Sequence, residues 1–157
     1  VSMAHSVGVL VEGEVGIVGG VEDEFSGGRS TFFNMDEALS FFTESGVDML
    51  ALGIGNAHGV YKKTENVDVS LLSAFQEHLD SKSILVLHGT TGLEDKQIKK
   101  AIKSGVVKIN LSTELKIIYQ GVIESLEGKT VHDEIYFYQE LRKALRPKLK
   151  DIINKIG

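Results

Sequence analysis

Apolar positions along the chain fall into two alternating rhythms. Val9-Leu-Val-Glu-Gly-Glu-Val15, Val47 to Ile54, Ser83-Ile-Leu-Val-Leu87 and Val106-Val-Lys-Ile109 are short runs rich in aliphatic residues, bounded by glycine or polar loops, and they predict four strands. Between them the spacing becomes helical: Ala38, Leu39, Phe41 and Phe42 after Asn34, then Leu71, Leu72 and Phe75 after Asp68, then Ile98, Ala101 and Ile102 in a helix near Asp95 to Lys103. Asn34 and Asp68 are capping residue types, Glu37 stands at the capping-box position, and Gly46 and Gly105 fit helix stops. Ser112 or Thr113 predicts the cap of a helix through Leu126, and a last amphipathic helix spans Asp133 to Ile156, broken or kinked at Pro147. The segment Val1 to Val7 reads as the end of a helix. Strands alternating with helices at this spacing predict right-handed βαβ units and a parallel sheet.

In parallel α/β folds, chemistry collects in the loops after the carboxyl ends of the strands. Those loops offer Glu12 and Glu14 with Gly16, His58-Gly59, His88-Gly-Thr-Thr-Gly92, and Asn110-Leu-Ser-Thr113. His58 and His88 are about one βαβ unit apart, so adjacent strands bring both imidazoles to one rim, where neutral imidazole suits zinc. Each is followed by a glycine, which lets a ligand approach the backbone, and Thr90 and Thr91 add hydroxyls. The helix start at Asn110 to Thr113 suits a phosphate, although in isolation Ser112 and Thr113 read better as simple caps. Glu12 and Glu14 share a face by alternation, and paired carboxylates on an inner face call for a cation or hydrogen bonds. The glycine-flanked acidic loop Gly19 to Arg29 reads as a mobile lid or as a solvated loop. His5, His78 and His132 lie away from this rim and carry no assigned role.

Composition narrows the classes. With 157 residues, 42% hydrophobic and 25% charged, the chain is one soluble globular domain or part of one. A net charge of -5 argues against a nucleic-acid partner, and Lys96-Gln-Ile-Lys-Lys100 reads as a solvated helix face. No cysteine is present, so any metal must use His, Asp or Glu. No run is long enough for a membrane span and no signal peptide is evident, so no membrane partner and a cytoplasmic location are expected.

Val11-Glu-Gly-Glu-Val-Gly16, Gly19-Gly-Val-Glu-Asp23, Gly55-Asn-Ala-His-Gly-Val-Tyr61, Leu87-His-Gly89 and Lys108-Ile-Asn-Leu-Ser-Thr-Glu114 stand in the order found in class II, zinc-dependent aldolases of fructose and tagatose bisphosphate. The chain resembles that family over essentially its whole length. The resemblance implies a (β/α)₈ TIM barrel of which residues 1–157 supply strands five to eight, a single-domain carboxyl-terminal half. It implies a lyase that reversibly cleaves fructose 1,6-bisphosphate or tagatose 1,6-bisphosphate to dihydroxyacetone phosphate and glyceraldehyde 3-phosphate. His58 and His88 would be two of three zinc histidines, and the third, with the aspartate general base, belongs to an amino-terminal half not in this sequence. Glu14 matches a secondary metal position, Glu22 a proton-relay residue of the lid, and Gly59, Gly89, Thr90, Thr91, Asn110, Leu111, Ser112 and Thr113 the phosphate contacts. The resemblance also admits a monovalent cation beside the zinc as a cofactor.

Two departures matter. Thr90-Thr91 stands where relatives carry Gly-Ser or Ala-Ser, which keeps a hydroxyl donor. Ser112 stands where fructose-type members carry Asp and tagatose-type members Ala, so it does not decide the sugar. Four strands that should close a barrel leave two open edges and an apolar inner face, which predicts a homo-oligomer or association with the missing half. The alternative is a non-catalytic half-barrel remnant that self-associates and binds phosphate or metal.

Overall fold

The computed structural model describes residues 1–16, 32–56, 67–79, 84–127 and 134–156. These form two compact units, Val1–Asn110 and Leu111–Gly157. In the first, α1 (Ser2–His5), β1 (Glu12–Val15), α2 (Met35–Ser45), β2 (Met49–Leu52), α3 (Ser70–Glu77), β3 (Ile84–Leu87), α4 (Asp95–Lys103) and β4 (Val106–Ile109) follow one another. The four strands make one sheet in the order β1-β2-β3-β4, with every neighbouring pair parallel. The second unit pairs α5 (Thr113–Leu126) with α6 (Glu134–Ile156).

Strand alternation separates two faces. Leu50, Leu52, Leu85, Leu87 and Val106 point one way and join Ala38, Leu72, Phe75 and Ala101 of the helices in a single buried cluster. Phe75 is its largest fully buried side chain, with edge-on contacts to Phe33 at 6.1 Å and Phe42 at 6.3 Å between ring centroids. Met49, Ala51, Ile84 and Val86 lie on the opposite face with Glu12 and Glu14. The sequence expects an apolar inner face that carries the paired carboxylates Glu12 and Glu14; the structure shows an apolar strip beside a charged cluster in which Glu12, Glu14, His88 and Lys108 meet.

A β-bulge puts Lys108 on that face. Leu85 pairs with Val106 but Val86 pairs with Lys108, so Val107 is the extra residue, and it is 72% exposed. Strict alternation from the buried Val106 would have sent Lys108 into the helix-covered core.

Local signals account for most element ends. Asn34 Oδ1 accepts from Glu37 N–H at 3.1 Å at the start of α2, and Gly46 ends that helix at φ 67°, a left-handed conformation that a side chain disfavours. Helix α3 begins at Ser70, whose N–H donates to Asp68 Oδ1 at 2.9 Å. Glu94 N–H donates to Gln97 Oε1 at 3.0 Å at the start of α4, a capping pair the sequence reading did not anticipate. Phe41 is partly exposed and not part of the core; its ring covers the backbone of Gly13, where an added Cβ would lie 2.6 Å from Cε1. Pro147 does not break α6, which is continuous from Glu134 to Ile156.

Before β1, Asp48 Oδ2 accepts from Val11 N–H at 2.7 Å and bonds His5 Nε2 at 2.8 Å, tying the chain start to β2. In the second unit Tyr119 and Phe137 meet edge-on at 5.6 Å, Lys148 Nζ lies 3.1 Å from Glu114 Oε1, and Val122 and Leu126 are buried. Among the described residues no helix is long and apolar enough to cross a membrane.

Candidate functional site

His88 is the first residue after β3, and alternation from Ile84 and Val86 turns its side chain to the charged face. Its Nδ1 lies 2.5 Å from Glu14 Oε2 and its Nε2 lies 2.9 Å from Glu12 Oε1. Both glutamates come from β1, one strand beyond β2. Ala51 stands between them in the pairing, opposite Glu14 on one side and Val86 on the other, and its small side chain leaves room for the imidazole and carboxylates to meet above it.

Lys108 completes the group from the far edge. Its Nζ donates to Glu12 Oε2 at 2.6 Å and to Asn110 Oδ1 at 2.8 Å. In a flat sheet β1 and β4 would lie about 14 Å apart, three strand spacings. A lysine and a glutamate standing off such a surface would not touch, so the contact requires this face to be concave. One face of four strands thus gathers two carboxylates, an imidazole and an ammonium, from Glu12 at the start of β1 to His88 just past the end of β3.

The charges fix one another. Hydrogen bonding to Glu14 raises the His88 pKa above its ordinary value; burial opposes the rise, and the hydrogen bond to Glu12 adds to it. Burial pushes the Glu12 pKa up, but the hydrogen bonds from Lys108 and His88 outweigh it and hold the carboxyl below its ordinary value. Only the imidazolium donates from both ring nitrogens, so the observed arrangement is an ion cluster of two negative and two positive groups.

Buried hydrogen bonds hold the backbone at this point. Asn56, 1% exposed, accepts from Ile54 N–H through Oδ1 at 2.9 Å and donates from Nδ2 to the His88 carbonyl at 2.8 Å, bracing the end of β2 against the end of β3. Gly89 turns the chain with φ 58°. Thr90 is buried, with Oγ1 3.4 Å from the Asn110 carbonyl, and Asn110 N–H donates to the Leu87 carbonyl at 3.1 Å. Thr91 follows in a turn, partly exposed.

The structure therefore brings together Glu12, Glu14, His88 and Asn110 of the residues singled out from the sequence, and adds Lys108 and Asn56. His58, Gly59 and Glu22 lie outside the described residues. Leu111, Ser112 and Thr113 belong to the second unit, where Ser112 is the N-cap residue of α5 but makes no side-chain capping bond. His78 bonds a carbonyl of its own helix and His5 bonds Asp48, so neither takes part. Lys108 was hidden by the bulge. Asn56 carried a readable signal, a single amide directly after an apolar strand.

The donor types fit a divalent ion such as zinc, since an imidazole and a carboxylate lie together. They do not complete a site: the two carboxylates sit at opposite ring nitrogens, and among the described residues no three His, Asp or Glu side chains converge on one point. A cation at either nitrogen would have to replace a proton there.

A family model described as fructose-bisphosphate aldolase class II matches residues 1–157. Among solved structures, the YdjI aldolase from Escherichia coli K12 is 28% identical with a TM-score of 0.77, over 99% of this chain and 52% of that one. A Coccidioides immitis protein named as a fructose-1,6-bisphosphate aldolase is 24% identical with a TM-score of 0.83, over 99% of this chain and 54% of that one. Fructose-bisphosphate aldolase from Campylobacter jejuni is 23% identical with a TM-score of 0.69, over 97% of this chain and 53% of that one. The chain spans about half the length of these structures, and its four parallel strands with their helices match half of that barrel fold.

Proposed function

The chain belongs to the class II fructose-bisphosphate aldolase family, and on that premise we propose that it serves a zinc-dependent aldolase which reversibly cleaves fructose 1,6-bisphosphate or tagatose 1,6-bisphosphate to dihydroxyacetone phosphate and glyceraldehyde 3-phosphate. The supporting observation is the position of His88: at the carboxyl end of a barrel strand, on the concave face, with a carboxylate at each nitrogen. His58 and His88 would hold the zinc, with Glu14 at a secondary position. When bound, the ion would supply a Lewis acid for the ketose carbonyl.

This chain's residues have distinct tasks in that reading. Asn56 fixes the backbone from which the His88 ring projects. Gly59, Gly89, Thr90, Thr91 and Asn110, and Leu111, Ser112 and Thr113 at the start of α5, would contact phosphate. Glu22 would relay a proton from the lid loop. The aspartate base and the third histidine would come from an amino-terminal half, as another chain or as part of the same one, and that half would also cover the open edges of β1 and β4.

The test is a coupled assay of fructose 1,6-bisphosphate cleavage with zinc, run on the chain alone and with an added amino-terminal half of a class II aldolase. The expected result is no turnover alone, and turnover on complementation that is lost on chelation and in His88→Ala. Inactivity after complementation, with zinc bound, would replace this reading with that of a non-catalytic half-barrel.

A further inference from the structure

The imidazole of His88 has a carboxylate at each nitrogen, and the two are not equivalent. Glu12 is the more enclosed, its side chain 23% exposed against 37% for Glu14. Its second oxygen is gripped by Lys108 Nζ at 2.6 Å, and Lys108 is fixed in turn by Asn110 Oδ1 at 2.8 Å. Glu14 sits two residues further along β1, toward the rim, and among the described residues its only basic partner is His88. Glu14 can turn away from Nδ1 and lose one contact. Glu12 cannot leave Nε2 without also disturbing Lys108 and, through it, Asn110.

A cation that binds an imidazole takes one nitrogen, and the other keeps its N–H and needs an acceptor held in place. We propose that Glu12 and Lys108 are a positioning pair for His88, holding its Nε2–H so that Nδ1, on the Glu14 side, faces a divalent cation. This rests on the reading of His88 as a zinc ligand and deepens it in three respects. It says which ring nitrogen binds, it makes Glu14 the carboxylate beside the ion, and it places Glu12 behind the ring. Lys108 then has two tasks on one face. It keeps the Glu12 carboxylate turned to the ring, and it ties the ring's orientation to Asn110, one of the phosphate contacts in the same reading.

The test combines two measurements. The chain and its Glu12→Gln, Lys108→Met and Lys108→Arg variants are titrated with zinc against a chromophoric chelator, and nitrogen-15 NMR of the histidine rings identifies the metal-bound nitrogen. The expected outcome is a metal-bound Nδ1 and a protonated Nε2 at His88, zinc affinity about 10–100-fold lower in Glu12→Gln and Lys108→Met, and recovery of most of the loss in Lys108→Arg. Far-UV circular dichroism should be unchanged across the set, which separates positioning from folding. Zinc on Nε2, or undiminished affinity in Glu12→Gln, overturns the positioning pair while leaving His88 a ligand. Zinc that does not touch His88 overturns the ligand reading and the pair with it. The nitrogen assignment in the unsubstituted chain decides the matter even where a variant fails to fold.

Discussion

Asn56→Ala isolates the contribution of one buried amide. The side chain is 1% exposed, it accepts from Ile54 N–H at 2.9 Å, and it donates to the His88 carbonyl at 2.8 Å. Ile54 is itself 0% exposed. Truncation removes two bonds, each worth about 0.5–1.5 kcal/mol net, and deprives a buried N–H of its acceptor, a penalty of about 1–3 kcal/mol when no water reaches it. These contributions overlap, and the expected loss is about 2–4 kcal/mol, or about 4–16 °C in Tm at this chain length. Equilibrium urea unfolding followed by circular dichroism measures it, with an unchanged slope showing that the same surface is still exposed on unfolding. Gln120→Ala, which removes only an exposed bond to Glu124 at 2.9 Å, is the control and should stay within about 0.5 kcal/mol. A loss in Asn56→Ala no larger than that of the control would refute the bracing role, and with it the account of how the His88 backbone is held.

Other substitutions probe the packing and the charges around the site. Phe75→Ala should cost about 3–5 kcal/mol in the same unfolding assay, since Phe75 is fully buried between Phe33 and Phe42. Gly13→Ala places a Cβ 2.6 Å from the Phe41 ring and should cost about 1 kcal/mol, the low end for overpacking because that ring is partly exposed and able to swing aside; Phe41→Leu should remove the penalty in a double-mutant cycle. For Asp48, hydrogen bonds from Val11 N–H and His5 hold the carboxyl below its ordinary value of 3.8. Its contribution is therefore complete above that value and is lost as pH falls through the depressed one, so Asp48→Asn should flatten the acid limb of a Tm-against-pH curve, and an acid limb as steep as that of the unsubstituted chain would contradict this.

Much of this could be read before any coordinates. Period-two alternation placed Glu12 and Glu14 on one face, and the strand ends marked His88 as a rim residue. Asn34 and Gly46 bound α2 as their chemistry dictates. The rest depended on interactions that a linear pattern does not carry. The bulge at Val107 reverses the alternation that would have buried Lys108. Phe41 fits the apolar face of α2 by spacing, yet its position is set by the bare backbone of Gly13 on β1. Glu94 and Gln97 cap α4 through a less common residue pair, whereas Ser112, a strong capping type, makes no such bond. Pro147 sits inside a helix that runs on past it to Ile156, although its ring removes one N–H from the ladder. The carboxylates of Glu12 and Glu14 were legible, but that Lys108 on β4 partners Glu12 on β1, across the whole sheet, is invisible in sequence order.

The central claim is that His88, with its carboxylates, forms part of a zinc site on the concave face. Crystals of the chain grown with zinc, with diffraction recorded on both sides of the zinc absorption edge, test it most directly. The account predicts an anomalous peak within about 2.0–2.1 Å of a nitrogen of His88 and of a nitrogen of His58. A zinc peak elsewhere, with His88 still held between Glu12 and Glu14, would contradict it.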